Sequence, residues 1–246
     1  FIFPAGSSFR DTLQGGAGID TADFSDYTVA ITALLTASGD SDGFDGLING
    51  NPFSDLDEII ASGQLGDNLT GANRQATWTL ATDSQYTDFL TSNTLTFSAF
   101  EDLIGGSDED TLDYSAQAGP ITVTLDDLGT VDGFQGTSSF VPGTIDNMDG
   151  VIGSASADDE IIGRAVGNTF HITGNNSGDV DGLFDFASVE NIEGGPGIDA
   201  YEISQGVSFN GLLDGQANDD RLTFSGHNNP VNISFDSQGL IDGFSG

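Results

Sequence analysis

The sequence predicts an all-β fold, a repetitive β-solenoid of the β-helix or β-roll kind that forms an elongated rod. Three observations predict it: a turn motif that recurs along the chain, short segments in which apolar and polar residues alternate, and no convincing helical pattern. In the motif, glycines give way to an aspartate at the sixth position. Its four copies are Gly15–Ser25, Gly105–Ser115, Gly194–Ser204 and Gly215–Ser225.

The strand signals are short segments rich in β-branched and aromatic residues and bounded by Gly, Asp, Asn and Ser. They predict strands at Thr28–Thr32, Thr77–Leu80, Thr94–Phe97, Ile121–Leu125, Thr169–Thr173, Leu183–Phe186 and Val231–Phe235. Aromatic residues recur at equivalent positions, which predicts ladders of stacked rings inside the core. These sets are Phe24, Tyr114 and Phe224; Phe97 and Phe186; and Phe44, Phe134 and Phe244.

A longer period of about 90 residues divides the chain into imperfect modules of a single continuous solenoid, residues 1–246. The modules are approximately 1–25 (partial), 26–115, 116–204 and 205–246 (partial, with one inserted coil). Successive turn motifs are separated by 47, 43, 49, 40 and 21 residues. Because the last interval is about half of the others, we expect coils of roughly 20 to 24 residues and a rod on the order of 50 Å long.

The composition limits the partners that the chain can bind. There are 39 acidic residues against 4 basic ones, a formal charge of −35, which repels nucleic acid and favours cations and cationic partners. No apolar run approaches the length of a membrane span. Cysteine is absent, which excludes disulfides, a thiol nucleophile and a zinc–thiolate site.

The two ends of the chain predict self-association. The motif Asp-Gly-Phe-x-Gly at Asp42 and Asp132 is followed by a proline segment and a turn, whereas the third copy, Asp242–Gly246, is formed by the last five residues. Joining these residues to the segment that contains Pro4 and Leu13 restores the missing half of a module. We therefore expect one period of a longer array, which continues covalently or by head-to-tail stacking into a filament. An ordinary repeat domain is the alternative.

The Gly-Gly-x-Gly-x-Asp copies resemble the nonapeptide of the RTX, or haemolysin-type, calcium-binding repeats, and the chain resembles large acidic β-solenoid proteins of bacterial surfaces. This resemblance implies an extracellular or cell-surface location and Ca²⁺ as a bound ion. It implies metal ligands at Asp20, Asp110, Asp199 and Asp220. The family's nonapeptides are tandem, whereas most copies in this chain lie about 90 residues apart and two of them have lost glycines.

Charge gives a separate reason to expect a cation near Asp199 and Asp220, which are one predicted coil apart. Their stacked carboxylates repel each other unless a cation or hydrogen-bond donors lie between them, and Asp219 adds a further charge. Calcium suits such an oxygen-rich site. The alternative is that glycine and aspartate are present because tight turns select them.

These features together predict a structural repeat of an extracellular filament or adhesin stalk, stabilised by calcium. A calcium-dependent adhesion module that binds carbohydrate or a surface is the alternative. An enzyme is not expected, since neither His171 nor His227 lies in a recognisable catalytic motif. Asp158–Glu160 with Arg164 resembles the carboxylate cluster of a polysaccharide-degrading solenoid, but it aligns with a turn of the preceding module.

Overall fold

The computed structural model describes residues 1–7, 10–224, 226–228 and 230–231, and the backbone of 237–238 and 244–245. Every regular element within these residues is a β-strand, and they contain no helix. Two 12-stranded sheets enclose one hydrophobic core, and a separate two-stranded sheet lies near the end of the chain. The predicted all-β solenoid is confirmed.

The spatial order of the strands differs from their order in the chain in both large sheets. Sheet 1 runs through β1 (Leu13–Gln14), β5 (Asn51–Leu56), β4 (Phe44–Ile48), β3 (Thr32–Ser38), β7 (Asn68–Thr70), β11 (Asp102–Ile104), β15 (Ile145–Met148), β14 (Phe134–Ser138), β13 (Thr122–Leu128), β17 (Glu160–Ile162), β21 (Asn191–Glu193) and β23 (Leu213–Asp214). Sheet 2 runs through β2 (Thr21–Asp23), β6 (Glu58–Ile60), β10 (Thr94–Ser98), β9 (Ser84–Asp88), β8 (Ala76–Thr79), β12 (Asp110–Asp113), β16 (Gly150–Ile152), β20 (Phe184–Ala187), β19 (Ser177–Val180), β18 (Thr169–Gly174), β22 (Ala200–Ile203) and β24 (Arg221–Thr223). The separate pair is β25 (Ser237–Gln238) and β26 (Phe244–Ser245).

The chain crosses between the sheets at two long edges of the rod. At the first edge it passes from sheet 1 to sheet 2, in the turns 15–20, 71–75, 105–109, 163–168, 194–199 and 215–220 and at the single residues Asp57 and Asp149. The hairpin loops 39–43, 89–93, 129–133 and 181–183 lie at the same edge. At the second edge it returns to sheet 1, in the turns 24–31, 61–67, 99–101, 114–121, 153–159, 188–190 and 204–212.

The coil length is the part of the prediction that the structure corrects. Ile192 pairs in parallel with Leu213, 21 residues further on, as predicted. The same spacing separates Tyr201 from Leu222 in sheet 2, but in the other coils the parallel partner is more distant: Leu103 pairs with Ile145, 42 residues further on. The difference arises because the longer coils contain antiparallel three-stranded meanders, β3–β5 and β13–β15 in sheet 1 and β8–β10 and β18–β20 in sheet 2. Twelve strands spaced about 4.8 Å apart give a rod about 50 Å long.

The core lies between the sheets and is built from alternate residues of each strand. In β4, for example, Phe44 and Ile48 are buried while the residues between them are partly exposed or glycine. Aromatic rings join the sheets: the centroids of Phe44 and Tyr86 are 5.3 Å apart, and those of Phe134 and Phe184 are 5.8 Å apart. This burial is the main source of stability for the fold.

The predicted aromatic ladders are wrong, although most of their members are buried as expected. Phe44 and Phe134 have equivalent positions, but β4 and β14 are five strands apart in sheet 1. Each ring instead packs against an aromatic ring of sheet 2. The side chain of Phe244 lies outside the described residues.

Five predicted strands have bounds within three residues of observed strands. They are 77–80, 94–97, 121–125, 169–173 and 183–186, which correspond to β8, β10, β13, β18 and β20. The prediction at 28–32 is wrong, because β3 begins at Thr32. The preceding residues form a turn whose last N–H, that of Ile31, donates to the carboxylate of Asp67. The predicted strand 231–235 lies outside the described residues except for Val231.

Candidate functional site

The structure explains why a glycine precedes the aspartate of the recurring motif by five residues. Asp110 is fully buried, and its carboxylate accepts hydrogen bonds from Trp78 Nε1 (2.8 Å) and from the N–H of Gly106 (2.6 Å). A Cβ atom on Gly105 would lie 2.9 Å from this carboxylate and 2.0 Å from the carbonyl oxygen of Asn147. Glycine is therefore required where the carboxylate folds back under its own turn.

The second edge uses aspartate in the same way. Asp67 and Asp159 are fully buried, and they accept the backbone N–H groups of Ile31 (2.5 Å) and Ile121 (2.9 Å) from neighbouring coils. Asp159 also accepts the N–H (2.6 Å) and hydroxyl of Ser154 within its own turn. Each carboxylate thus satisfies buried donors that the strand ladder leaves unpaired at the corners.

Two carboxyl groups of the first edge have strongly perturbed acidity. Burial raises the pKa of Asp110 to about 8, although the bonds from Trp78 and Gly106 oppose the shift. The N–H of Asp110 donates to Asp149 Oδ2 (2.8 Å), and burial raises the pKa of Asp149 to about 6. Neighbouring carboxylates, Asp132 among them, contribute to the second shift.

Asp20 lies in the first turn of the first edge and is half-buried. Its N–H donates to Asp57 Oδ2 (2.9 Å), the same arrangement as that of Asp110 and Asp149. Burial, only partly offset by the hydrogen bond from Asp20, raises the pKa of Asp57.

Asp199 and Asp220 lie on adjacent coils, and the N–H of Asp199 donates to Asp220 Oδ1 (2.8 Å). Asp199 is buried, and its Oδ1 accepts the backbone N–H (2.7 Å) and the side-chain amide (2.8 Å) of Asn168. Its Oδ2 is also buried but has no hydrogen-bond partner among the described residues. Burial raises the pKa of Asp199, and the charge of Asp220 adds to the shift against the bonds from Asn168. Asp219 is exposed beside this pair.

The predicted metal ligands are therefore brought together only at Asp199 and Asp220. Asp20, Asp110 and Asp199 precede or begin β2, β12 and β22, which are five strands, or roughly 24 Å, apart in sheet 2. Within the described residues, no group of three or more His, Asp or Glu side chains is arranged to hold a metal ion.

The sequence did not predict an acidic cleft at the middle of the first edge. This cleft has a volume of about 480 Å³ and is lined by Gln75, Ser107, Asp108, Glu109, Asp132 and Asp149. Burial raises the pKa of Asp132, with the charges of Asp108 and Asp146 adding to the shift. The sequence signal was the Asp-Gly-Phe-x-Gly motif, which places Asp132 at the tip of a hairpin loop facing the turn that precedes Asp110.

The cluster that resembled a glycosidase site is divided between the two edges. Asp158 and Asp159 lie in a turn of the second edge, whereas Arg164 lies in a turn of the first edge. Arg164 pairs with Asp181 (2.6 Å) and lies over the ring of Phe134.

Comparisons of the chain with protein-family models, with curated proteins and with solved structures find no match. Among the described residues there is no helix long and apolar enough to cross a membrane.

Proposed function

We propose that the chain is a structural repeat of an extracellular filament or adhesin stalk, and that its units stack end to end. The observation that carries this proposal is the pair of sheets that run the length of the rod, because most of their terminal strands have a partner on one side only within the described residues. The terminal strand β2 differs, since a bridge between Ile2 and Asp23 covers its outer edge. Among the described residues, β1, β23 and β24 each pair with a single strand. The unpaired N–H and C=O groups of such edges are a template for another strand.

The use of aspartate at the corners supports a mechanical role. Asp67, Asp110 and Asp159 accept hydrogen bonds from backbone donors within the fold, so these buried aspartates maintain the shape of the rod at its corners. The exposed carboxylates give each unit a strong negative charge, which keeps rods from associating side by side at low salt.

The edge of β1 offers a direct test of end-to-end stacking. The N–H of Gly15 bonds to Ser54 O of β5, and successive residues of a strand alternate in direction, so the N–H of Gln14 points away from β5. Gln14→Pro removes an outward donor and retains the inward ladder, and Gln14→Ala is its control. We expect fibres of the unchanged chain and of Gln14→Ala in electron micrographs, and folded monomers of Gln14→Pro by circular dichroism and sedimentation. Identical fibres of Gln14→Pro would show that this edge is not the junction.

A calcium-dependent adhesion module is a second candidate, and the buried, unpartnered Asp199 Oδ2 beside Asp220 favours it. Ca²⁺ at this position would offset the repulsion between the two carboxylates. We expect Ca²⁺ at about 100 times its Kd to stabilise the unchanged chain by about 3 kcal/mol in thermal unfolding. Asp199→Asn should lose this effect, whereas Asp158→Asn, an exposed change at the opposite edge, should retain it. Equal stabilisation of all three chains would exclude this site.

A further inference from the structure

The acidic cleft is flanked by large apolar side chains that are exposed to solvent. Phe89 and Leu90, at the tip of the loop 89–93, are 70% and 81% exposed, and Val131, next to Asp132, is 65% exposed. The N–H of Phe89 donates to the carbonyl oxygen of Gln75 (3.0 Å), a residue that lines the cleft. Phe89 is thus bonded through its backbone to one lining residue, and Val131 directly precedes another, Asp132. We call the cleft together with Phe89, Leu90 and Val131 the cleft surface.

The loop that carries Phe89 and Leu90 is held on a fixed base. Asp88 is buried, and its carboxylate accepts the N–H groups of Leu90 (2.8 Å) and Thr91 (2.9 Å) and pairs with Arg74 (3.4 Å). Two adjacent apolar side chains are thus presented to solvent by a bonded turn. Such exposure is unfavourable unless another molecule covers it.

The charge of the cleft surface determines what can cover it. Asp108, Glu109, Asp132 and Asp149 converge on the cleft, and an apolar or anionic partner would cover their negative charges without supplying a positive charge. A partner that fits must therefore bring cationic groups to the cleft and apolar groups to Phe89.

A second copy of this chain does not meet these requirements. The chain has no lysine and four arginines. Arg74, Arg164 and Arg221 pair with acidic residues of their own chain, which leaves Arg10. A metal ion would neutralise carboxylates but would leave Phe89 and Leu90 in water.

We propose that the cleft surface binds a basic, amphipathic segment of another protein, in which Lys or Arg residues alternate with apolar ones. The cationic side chains enter the cleft between Asp108 and Asp132, and the apolar side chains pack on Phe89, Leu90 and Val131. Buried apolar contact sets the affinity and the carboxylates accelerate association and select against acidic partners. This surface is separate from the ends of the rod, so binding along the edge and end-to-end stacking are independent.

Isothermal titration calorimetry with synthetic peptides tests the proposal. The probes are a peptide of about ten residues of alternating Lys and Leu and an all-Lys peptide of the same length, at about 150 mM NaCl. We expect the Lys/Leu peptide to bind at least about tenfold more tightly than the all-Lys peptide, because only the former covers the apolar flank. Equal affinities, or no binding of the Lys/Leu peptide, would overturn the proposal.

Matched variants locate the binding. Phe89→Ser with Leu90→Ser, and separately Asp108→Asn with Asp132→Asn, should each weaken binding of the Lys/Leu peptide about tenfold. The controls make equivalent changes at the second edge: Leu65→Ser, at a side chain that is 93% exposed, and Asp26→Asn with Asp158→Asn. These should change affinity by less than about twofold. Circular dichroism verifies that each variant is folded, and equal losses in the controls would show nonspecific attraction to an acidic rod and overturn the proposal.

Discussion

The buried carboxyl group of Asp110 predicts an unusual dependence of stability on pH. Its pKa is raised from 3.8 to about 8 in the folded protein, so the folded state binds a proton that the unfolded state releases. The stability from this proton is fully present below pH about 4 and is lost as the pH rises to about 8. A shift of about four pH units, at about 1.4 kcal/mol per unit, is on the order of 5 kcal/mol.

Asp110→Asn removes this titration and retains the size of the side chain. At pH 5 we expect the variant to be less stable by about 1–3 kcal/mol, because one donor now faces an amide nitrogen instead of an oxygen. At pH 8 we expect the variant to be the more stable chain, because no buried charge forms. The assay is urea unfolding at several pH values in high salt, which screens the surface charges.

Two features of the pH profile distinguish Asp110 from its surroundings. Asp149, with a pKa of about 6, should preserve a loss of stability between pH 4 and 6 in the variant. The loss between pH 6 and 8 should disappear in Asp110→Asn and remain in Asp126→Asn, an exposed change in β13. An unchanged slope in Asp110→Asn, or a stability of the natural chain that rises with pH, would refute the reasoning.

Two further predictions concern the turns. Asp159→Ala should lower the free energy of unfolding by about 3–5 kcal/mol, because it leaves several buried donors unsatisfied, whereas Asp158→Ala should change it by less than about 0.5 kcal/mol. A small effect of Asp159→Ala in urea unfolding would contradict the conclusion that this carboxylate satisfies the buried donors of its turn. Gly105→Ala should lower the free energy of unfolding by about 3 kcal/mol or more, since its Cβ would lie 2.0 Å from Asn147 O. Gly119→Ala, whose added Cβ has no atom within 4 Å, should change stability little in thermal unfolding. Equal stability of the two variants would be inconsistent with the structure.

The fold class followed from the sequence because turn motifs and strand periodicity are local signals. The meanders did not follow from the sequence, because the intervals of 40 to 49 residues between successive turn motifs were interpreted as two coils each. A signal was present at Asn49-Gly50, a pair typical of two-residue hairpins, where both residues have positive φ (50° and 77°). The antiparallel partner of β4 was therefore predictable from this pair.

The candidate site was less predictable because it depends on which coils are adjacent. The Gly105 to Asp110 spacing marked a turn, but the clash that requires glycine involves Asn147, a residue of another coil. The acidic cleft combines residues from Gln75 to Asp149. Their proximity follows from the strand order that the meanders impose, which no local pattern encodes.

The most direct test of end-to-end stacking is cryo-electron microscopy of the chain after assembly, at a resolution that separates strands about 4.8 Å apart. We expect fibres in which both sheets continue through the junction and in which the outward groups of β1 bond to a strand of the next unit. Isolated rods about 50 Å long, or fibres whose units meet side by side with the β1 edge exposed, would contradict the proposed stacking.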